Sequence, residues 1–220
     1  MVKLPDNIVF FGPPGVGKGV QASRLSERSG MVHFSMGDAL RGEIAEGTEF
    51  GESIRKALAR GEFASDEVVL GVLEKHLDRG GPVTGLILDG FPRTIVQAEK
   101  LEEMLRRRGG GLSRVLLLDA GSEILLARLT GRLLCGHCNK TYHKLFKAPR
   151  REGVCDGCGE ELSRRDDDCE NVQLERLNTY RYLTEPLTSF YRQRGLLDVI
   201  DGSGSIEEVS DRIDRSLDDI

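Results

Sequence analysis

Eight residues, Gly12-Pro13-Pro14-Gly15-Val16-Gly17-Lys18-Gly19, hold the most specific chemistry in this chain. They follow an apolar run at 8–11 and precede a segment of helical spacing at 20–28, so the order is strand, glycine-rich turn, helix start. In such a turn the glycines let successive backbone N–H groups point inward. The positive end of the helix dipole adds to them, and together they can cradle a polyphosphate. Lys18 then supplies a point charge for the outer phosphates. The spacing from Gly12 to Gly17-Lys18 is that of a P-loop, with one departure: Gly19 stands where serine or threonine usually follows the lysine, so a hydroxyl that would hold magnesium is missing. Asp89 closes the apolar run 85–88, and a strand ending in aspartate beside a P-loop usually serves magnesium.

A second cluster has metal-ligand spacing. Cys135 and Cys138 form one Cys-x-x-Cys pair, and Cys155 and Cys158 form another. Paired knuckles at this separation point to tetrahedral zinc, and four thiolates fill the coordination sphere with no place left for water. The expected metal is therefore structural. His137 and His143 lie nearby but are not needed as ligands, and Cys169 is left over as an ordinary thiol. Arginines ring the same segment: Arg128 and Arg132 before it, Arg164 and Arg165 after it, then Arg176 on a long helix. The planar guanidinium fork suits phosphate, and convergence on one segment favours that reading over five solvated surface charges.

The elements that must position these groups alternate. Apolar runs at 8–11, 31–34, 85–89, 115–119 and 197–200 read as strands, and stretches at 20–28, 43–60, 66–79, 95–108 and 124–129 read as helices. Ser65 is a candidate cap for the helix at 66–79, and Ser205 with Glu208 makes a capping box for the last helix. His33, inside an apolar run, reads as structural. Strands alternating with helices imply a parallel sheet covered on both faces, with ligands at the carboxyl ends of the strands. Two stretches break the rhythm, the helical 35–64 and the cysteine-bearing 131–168, and both read as insertions over the site.

The 220 residues, 39% hydrophobic, suffice for an ordinary soluble interior. A net charge of -5 argues against a general nucleic-acid or membrane-surface role. No apolar run approaches a membrane span, and the first strand begins too early to leave room for a signal peptide, so the expected compartment is the cytoplasm.

Taken together, the phosphate loop from Gly12 to Gln21, Asp38-Ala39-Leu40-Arg41, the run Asp89-Gly90-Phe91-Pro92-Arg93-Thr94 with Gln97, and the stretch from Arg165 to Arg176 resemble, in order and over essentially the whole chain, adenylate kinases of the long type with a zinc-bearing lid. The resemblance implies a P-loop NTPase-like α/β fold with a five-stranded parallel sheet. The core would comprise 1–34, 65–130 and 169–220, with a monophosphate-binding insertion at 35–64 and a lid at 131–168 carrying zinc on Cys135, Cys138, Cys155 and Cys158. It implies reversible phosphoryl transfer between ATP and AMP giving two ADP, with magnesium accompanying ATP, by a cytoplasmic monomer that binds neither nucleic acid nor membrane.

Carried over by position, ATP would meet Gly15, Val16, Gly17, Lys18, Gly19, Val20, Arg128, Arg132, Thr141, Tyr142 and the backbone at Gly204. AMP would meet Met36, Arg41, Glu62, Phe63, Ala64, Gly90, Phe91, Pro92, Arg93, Gln97, Arg165 and Arg176. Lys18, Asp89, Arg93, Arg132, Arg165 and Arg176 would carry the catalysis. Two departures from the family pattern are Val20 and Met36, each where threonine is usual. The first removes a hydroxyl contact to ATP. The second bears on base choice, so a kinase of UMP or CMP is an alternative reading, as is a non-catalytic nucleotide-binding paralogue.

Overall fold

The computed structural model describes residues 7–47, 49–60, 62–78, 85–138, 140–144, 146–163 and 170–217. Five strands, β1 (Asn7–Phe11), β2 (Val32–Ser35), β3 (Leu86–Asp89), β4 (Arg114–Asp119) and β8 (Leu197–Asp201), form one parallel sheet in the order β2-β3-β1-β4-β8. The central strands are buried on both faces, which is why they read as continuous apolar runs instead of alternating ones. Successive residues nevertheless serve different layers. Val9, Phe11, Leu86, Leu88, Val115 and Leu117 pack with helices α4 (Asp66–Asp78), α5 (Ile95–Arg107) and α8 (Leu187–Gln193) through Leu73, Leu101, Leu105 and Tyr191. Ile8, Phe10, Ile87, Leu116 and Leu118 pack on the other face with α1 (Lys18–Ser29) and α9 (Ile206–Leu217) through Leu25, Val209 and Ile213.

Because the strands are parallel, Phe11, Ser35, Asp89 and Asp119 all end at one edge of the sheet, and the glycine-rich turn leaves β1 there. The capping box of α9 is present as its spacing implied: the Ser205 N–H donates to Glu208 Oε2 at 2.7 Å and the Glu208 N–H to Ser205 Oγ at 3.2 Å.

Two expectations need correction, and one segment holds elements that its sequence did not announce. The helix at 43–60 is two helices, α2 (Met36–Ala45) and α3 (Glu49–Ala59). The chain turns at Gly47, whose φ of 66° is the left-handed conformation that ends a helix and whose N–H returns to the Ile44 carbonyl. The long helix bearing Arg176 is also divided: α7 (Glu170–Thr179) passes into a π-helical turn, Tyr180–Thr184, before α8. Finally, the cysteine-bearing segment contains a three-stranded antiparallel sheet in the order β6-β5-β7, built from β5 (Arg132–Cys135), β6 (Thr141–His143) and β7 (Leu162–Ser163). Strands of four, three and two residues are too short to show a period. Its apolar interior consists of Cys135, Tyr142, Cys155 and Leu162. The element α6 (Ser122–Thr130) leads into it from β4.

Candidate functional site

The turn between β1 and α1 requires its glycines for contact as well as conformation. A Cβ on Gly12 would lie 2.1 Å from the Leu118 carbonyl oxygen, and one on Gly15 would lie 2.8 Å from Leu129 Cγ. The loop is thus pressed against β4 and α6. Val16 buries its side chain in the layer beneath, so what it can offer a ligand is main chain. Gly17 caps α1 with a left-handed φ of 104°. Lys18 Nζ curls back to donate to the Gly12 carbonyl at 2.8 Å and the Pro13 carbonyl at 3.0 Å. Burial, the largest cause, brings its ammonium down to about 7; Asp89 opposes the shift, while Arg93, Arg176 and Arg132 add to it. The lysine therefore sits among three arginines with one carboxylate for company, an arrangement that lacks negative charge.

A Cβ on Gly19 would lie 3.1 Å from Asp89 Oδ2, so the residue after Lys18 faces the carboxylate at the end of β3. His33 approaches the same carboxylate, with Nε2 3.4 Å from Asp89 Oδ2 and Nδ1 3.3 Å from Ser23 Oγ. Its register beside β3 puts it there, which the apolar run alone did not reveal.

Two recesses adjoin here, the first walled in part by the loop itself. One is lined by Phe11, Gly12, Pro14, Lys18, Phe63, Gly90, Pro92, Arg93, Arg176, Tyr180 and Thr184. The other is lined by Met36, Leu40, Leu58, Phe63, Ala64, Val69, Gly90, Arg93 and Gln97. The first is cationic and the second mostly apolar, and Phe63, Gly90 and Arg93 belong to both. The Arg93 guanidinium lies 4.4 Å from the centre of the Phe63 ring, and its Nε donates to the Gly90 carbonyl at 2.8 Å. Thr184, from the π-helical turn, donates its hydroxyl to the Arg93 carbonyl at 3.1 Å, tying α5's entry to the α7–α8 region. The peptide between Phe91 and Pro92 is cis.

Several expected residues have protein partners or burial of their own. The Phe91 side chain is wholly buried in the sheet's core. Glu62 pairs with Arg60 at 2.7 Å on the surface. Arg41 pairs with Asp38 on the first turns of α2. Arg128 donates to three carbonyls, Val16 at 3.1 Å, Gly202 at 2.8 Å and Gly204 at 3.0 Å, and so fastens the glycine-rich loop to the β8–α9 loop. Thr141 opens β6, half-buried, and Val20 is half-buried on α1. The Tyr142 hydroxyl turns toward the cysteines, 3.5 Å from Cys155 Sγ, and accepts from the Asp156 N–H at 2.8 Å. Arg132 lies near enough for its charge to act on Lys18. Arg164, Arg165, the aspartates 166–168 and Cys169 lie outside the described residues.

The four paired cysteines converge. Their Sγ atoms all lie within 4.8 Å of one another, with Cys135 to Cys158 at 3.3 Å and Cys138 to Cys155 at 3.4 Å. These separations exceed a disulfide bond, and they bracket the spacing of about 3.8 Å that a tetrahedron with metal–sulfur distances of about 2.3 Å requires. Hydrogen bonding from the Tyr142 hydroxyl, with the Gly157 N–H adding to it, holds the Cys155 thiol down to about 6. The donor set fits a divalent metal that accepts four thiolates.

Comparison with known proteins shows the family of the chain. The adenylate kinase family model matches residues 10–196. An adenylate kinase of Archaeoglobus fulgidus is 42% identical over 214 residues, spanning 97% of this chain and 99% of its own length. Those of Methanococcoides burtonii and Thermodesulfovibrio yellowstonii are 42% and 43% identical over 212 and 206 residues, or 96% and 94% of this chain. With a glycine-rich loop, a five-stranded parallel sheet and this similarity over nearly its full length, the chain belongs to the adenylate kinase family.

Proposed function

We propose that the protein transfers the γ-phosphoryl group of ATP reversibly to AMP, giving two ADP. The observation that carries this reading is the pair of recesses meeting at Arg93, one cationic and walled in part by the glycine-rich loop, the other apolar and ending in a carboxamide. Two anions that repel must be brought into line for such a transfer, and positive charge must gather where they meet. Lys18 and the loop's main chain would hold the ATP phosphates. Arg93 and Arg176 would hold the AMP phosphate beneath them, and Arg132 and Arg165 would approach from the cysteine-bearing segment as it closes. Attack by an AMP phosphate oxygen needs no protein nucleophile, so these residues act by alignment and charge neutralisation. Closure would also keep out the water that competes for the phosphoryl group.

Asp89 would hold magnesium through its waters, and that ion would supply further charge neutralisation on the phosphates when ATP is bound. The carboxylate's approach to the residue after Lys18 supports the assignment, since it lies beside the glycine-rich loop. On the other side, Met36, Ala64 and Gln97 would receive the adenine, while Arg128 and the backbone at Gly204 would shape the far wall of the ATP site. Cys135, Cys138, Cys155 and Cys158 would bind one zinc ion that holds the lid together and takes no part in the chemistry. Division into a core, a monophosphate-binding insertion at 35–64 and a lid at 131–168 follows from the same reading. So does action as a cytoplasmic monomer; among the described residues no helix is long and apolar enough to cross a membrane. The test is a coupled assay of ADP formation from ATP across AMP, CMP, UMP and GMP. Turnover with AMP well above the others is expected, and equal or greater turnover with a pyrimidine monophosphate would replace the reading with a kinase of that nucleotide.

A further inference from the structure

The Gln97 carboxamide, buried to 1% exposure at the end of the apolar recess, is held from behind at both of its ends. The Arg93 backbone N–H donates to Oε1 at 2.7 Å. An N–H can only donate, so the atom it meets must be the oxygen. The amide nitrogen, at the other end, donates to Asp66 Oδ1 at 2.7 Å. Thr94 braces the same carboxylate oxygen with its hydroxyl at 3.1 Å and accepts the Gln97 backbone N–H, also at 3.1 Å. The sense of the amide is therefore fixed before a nucleotide arrives.

This has a chemical consequence. An amide nitrogen carries two hydrogens and its oxygen two lone pairs, so one donor and one acceptor remain for a base. The edge of a 6-aminopurine presents an acceptor, N1, beside a donor, the 6-amino group. A 6-oxopurine presents the reverse, a donor at N1 beside an acceptor oxygen. An amide free to rotate by half a turn could satisfy either edge, whereas a fixed one satisfies the first and leaves two mismatched pairs with the second. A site built to hydrogen-bond one pattern rejects the other strongly, because the buried groups are left unpaired.

We propose that Asp66 is a specificity-determining positioning residue: by accepting from Gln97 Nε2 it fixes the sense of the amide and so selects a 6-aminopurine monophosphate over a 6-oxopurine one. The proposal rests on the reading of this recess as the AMP site. Asp66 does not itself line the recess and acts only through Gln97.

The experiment compares kcat/KM for AMP with kcat/KM for inosine monophosphate, which differs from AMP only along this edge. In Asp66→Ala the ratio should fall by about tenfold or more, since one of two anchors is lost. In Asp66→Asn, which keeps an acceptor oxygen, it should stay close to that of the unaltered protein. Where turnover of inosine monophosphate is too slow to follow, the ratio of its inhibition constant to the dissociation constant of AMP reads the same selectivity at the level of binding. A merely structural role at the start of α4 would lower stability or rate with both acceptors alike and leave the ratio unmoved, and the ratio does not depend on the fraction of protein folded. An unchanged ratio in Asp66→Ala, or an equal loss in Asp66→Asn, would overturn the proposal. If the unaltered protein turns over AMP while the ratio is unmoved, only this inference fails; if it does not turn over AMP, the reading of the site fails with it.

Discussion

The two sides of the cleft recognise their ligands by different means. On the glycine-rich side the described loop offers backbone N–H groups and Lys18, backed by carbonyls that accept from Arg128. On the other side buried side chains converge, Met36 at 2% exposure and Gln97 at 1%, with a hydrogen-bond network behind the amide. On the proposed reading the first side would hold phosphates, and the second would select one class of monophosphate. Charge on the shared floor should thus govern rate, while the far recess should govern choice.

The largest effect should come from that shared charge. Lys18→Ala or Arg93→Ala should each lower kcat by on the order of 10²-fold or more, by analogy with the loss of one electrostatic donor to a transition state. The loss should be similar with every acceptor nucleotide, and circular dichroism should show the fold retained. Turnover near that of the unaltered protein in either variant would break the distinction between the two sides.

Next comes the cysteine-bearing sheet, which should matter for stability more than for chemistry. Its interior is four residues, two of them cysteines, whereas the parallel sheet has a packed layer on each face. Zinc removal, or Cys135→Ser or Cys155→Ser, should make 131–163 sensitive to protease before the core and lower the melting temperature, because metal binding would supply that segment's folding energy. Activity at low temperature should fall less than stability does, since bound nucleotide can still draw the segment closed. Metal analysis of the purified protein, then limited proteolysis and activity after chelation, checks this.

A smaller effect concerns protons. With the Lys18 ammonium near 7 in the free protein and phosphates expected to raise it, ATP binding about one unit above that pH should take up a proton. The sign follows: affinity is greatest where Lys18 is already charged, below about 7, and declines as the pH rises through 7 toward the value in the complex. Calorimetry of MgATP binding in two buffers of unequal ionisation heat reads the uptake, and zero uptake would contradict the crowding of Lys18 described above.

The smallest effect expected is Met36→Thr. It should change the apparent KM of the monophosphate more than that of ATP, because Met36 lines only the apolar recess. The lost volume should also cost about 2 kcal/mol of stability, which a thermal melt reads separately. Equal movement of both constants would blur the division between the two sides.

What the sequence made legible follows the same division. The glycine-rich loop, Asp89 and the cysteine pairs are local patterns in which spacing alone dictates geometry. The parallel sheet was legible because strands buried on both faces stand out as apolar runs. Contacts across the chain were not. That Asp89 faces Gly19, that His33 reaches the same carboxylate, and that Asp66 holds Gln97 from 31 positions away all depend on register between elements. Short features were lost as well: the strands of the cysteine sheet and the π-helical turn that brings Tyr180 and Thr184 to the cleft leave no period to read. Arg128 shows the converse, since its phosphate-suited fork is held here by three carbonyls.

The most direct test of the central claim uses ADP alone. Purified protein incubated with ADP and magnesium, followed by phosphorus NMR, should form ATP and AMP in equal amounts and stop at an equilibrium mixture with no inorganic phosphate released. Unchanged ADP, or steady release of inorganic phosphate, would contradict a transfer between two nucleotides held face to face across Arg93.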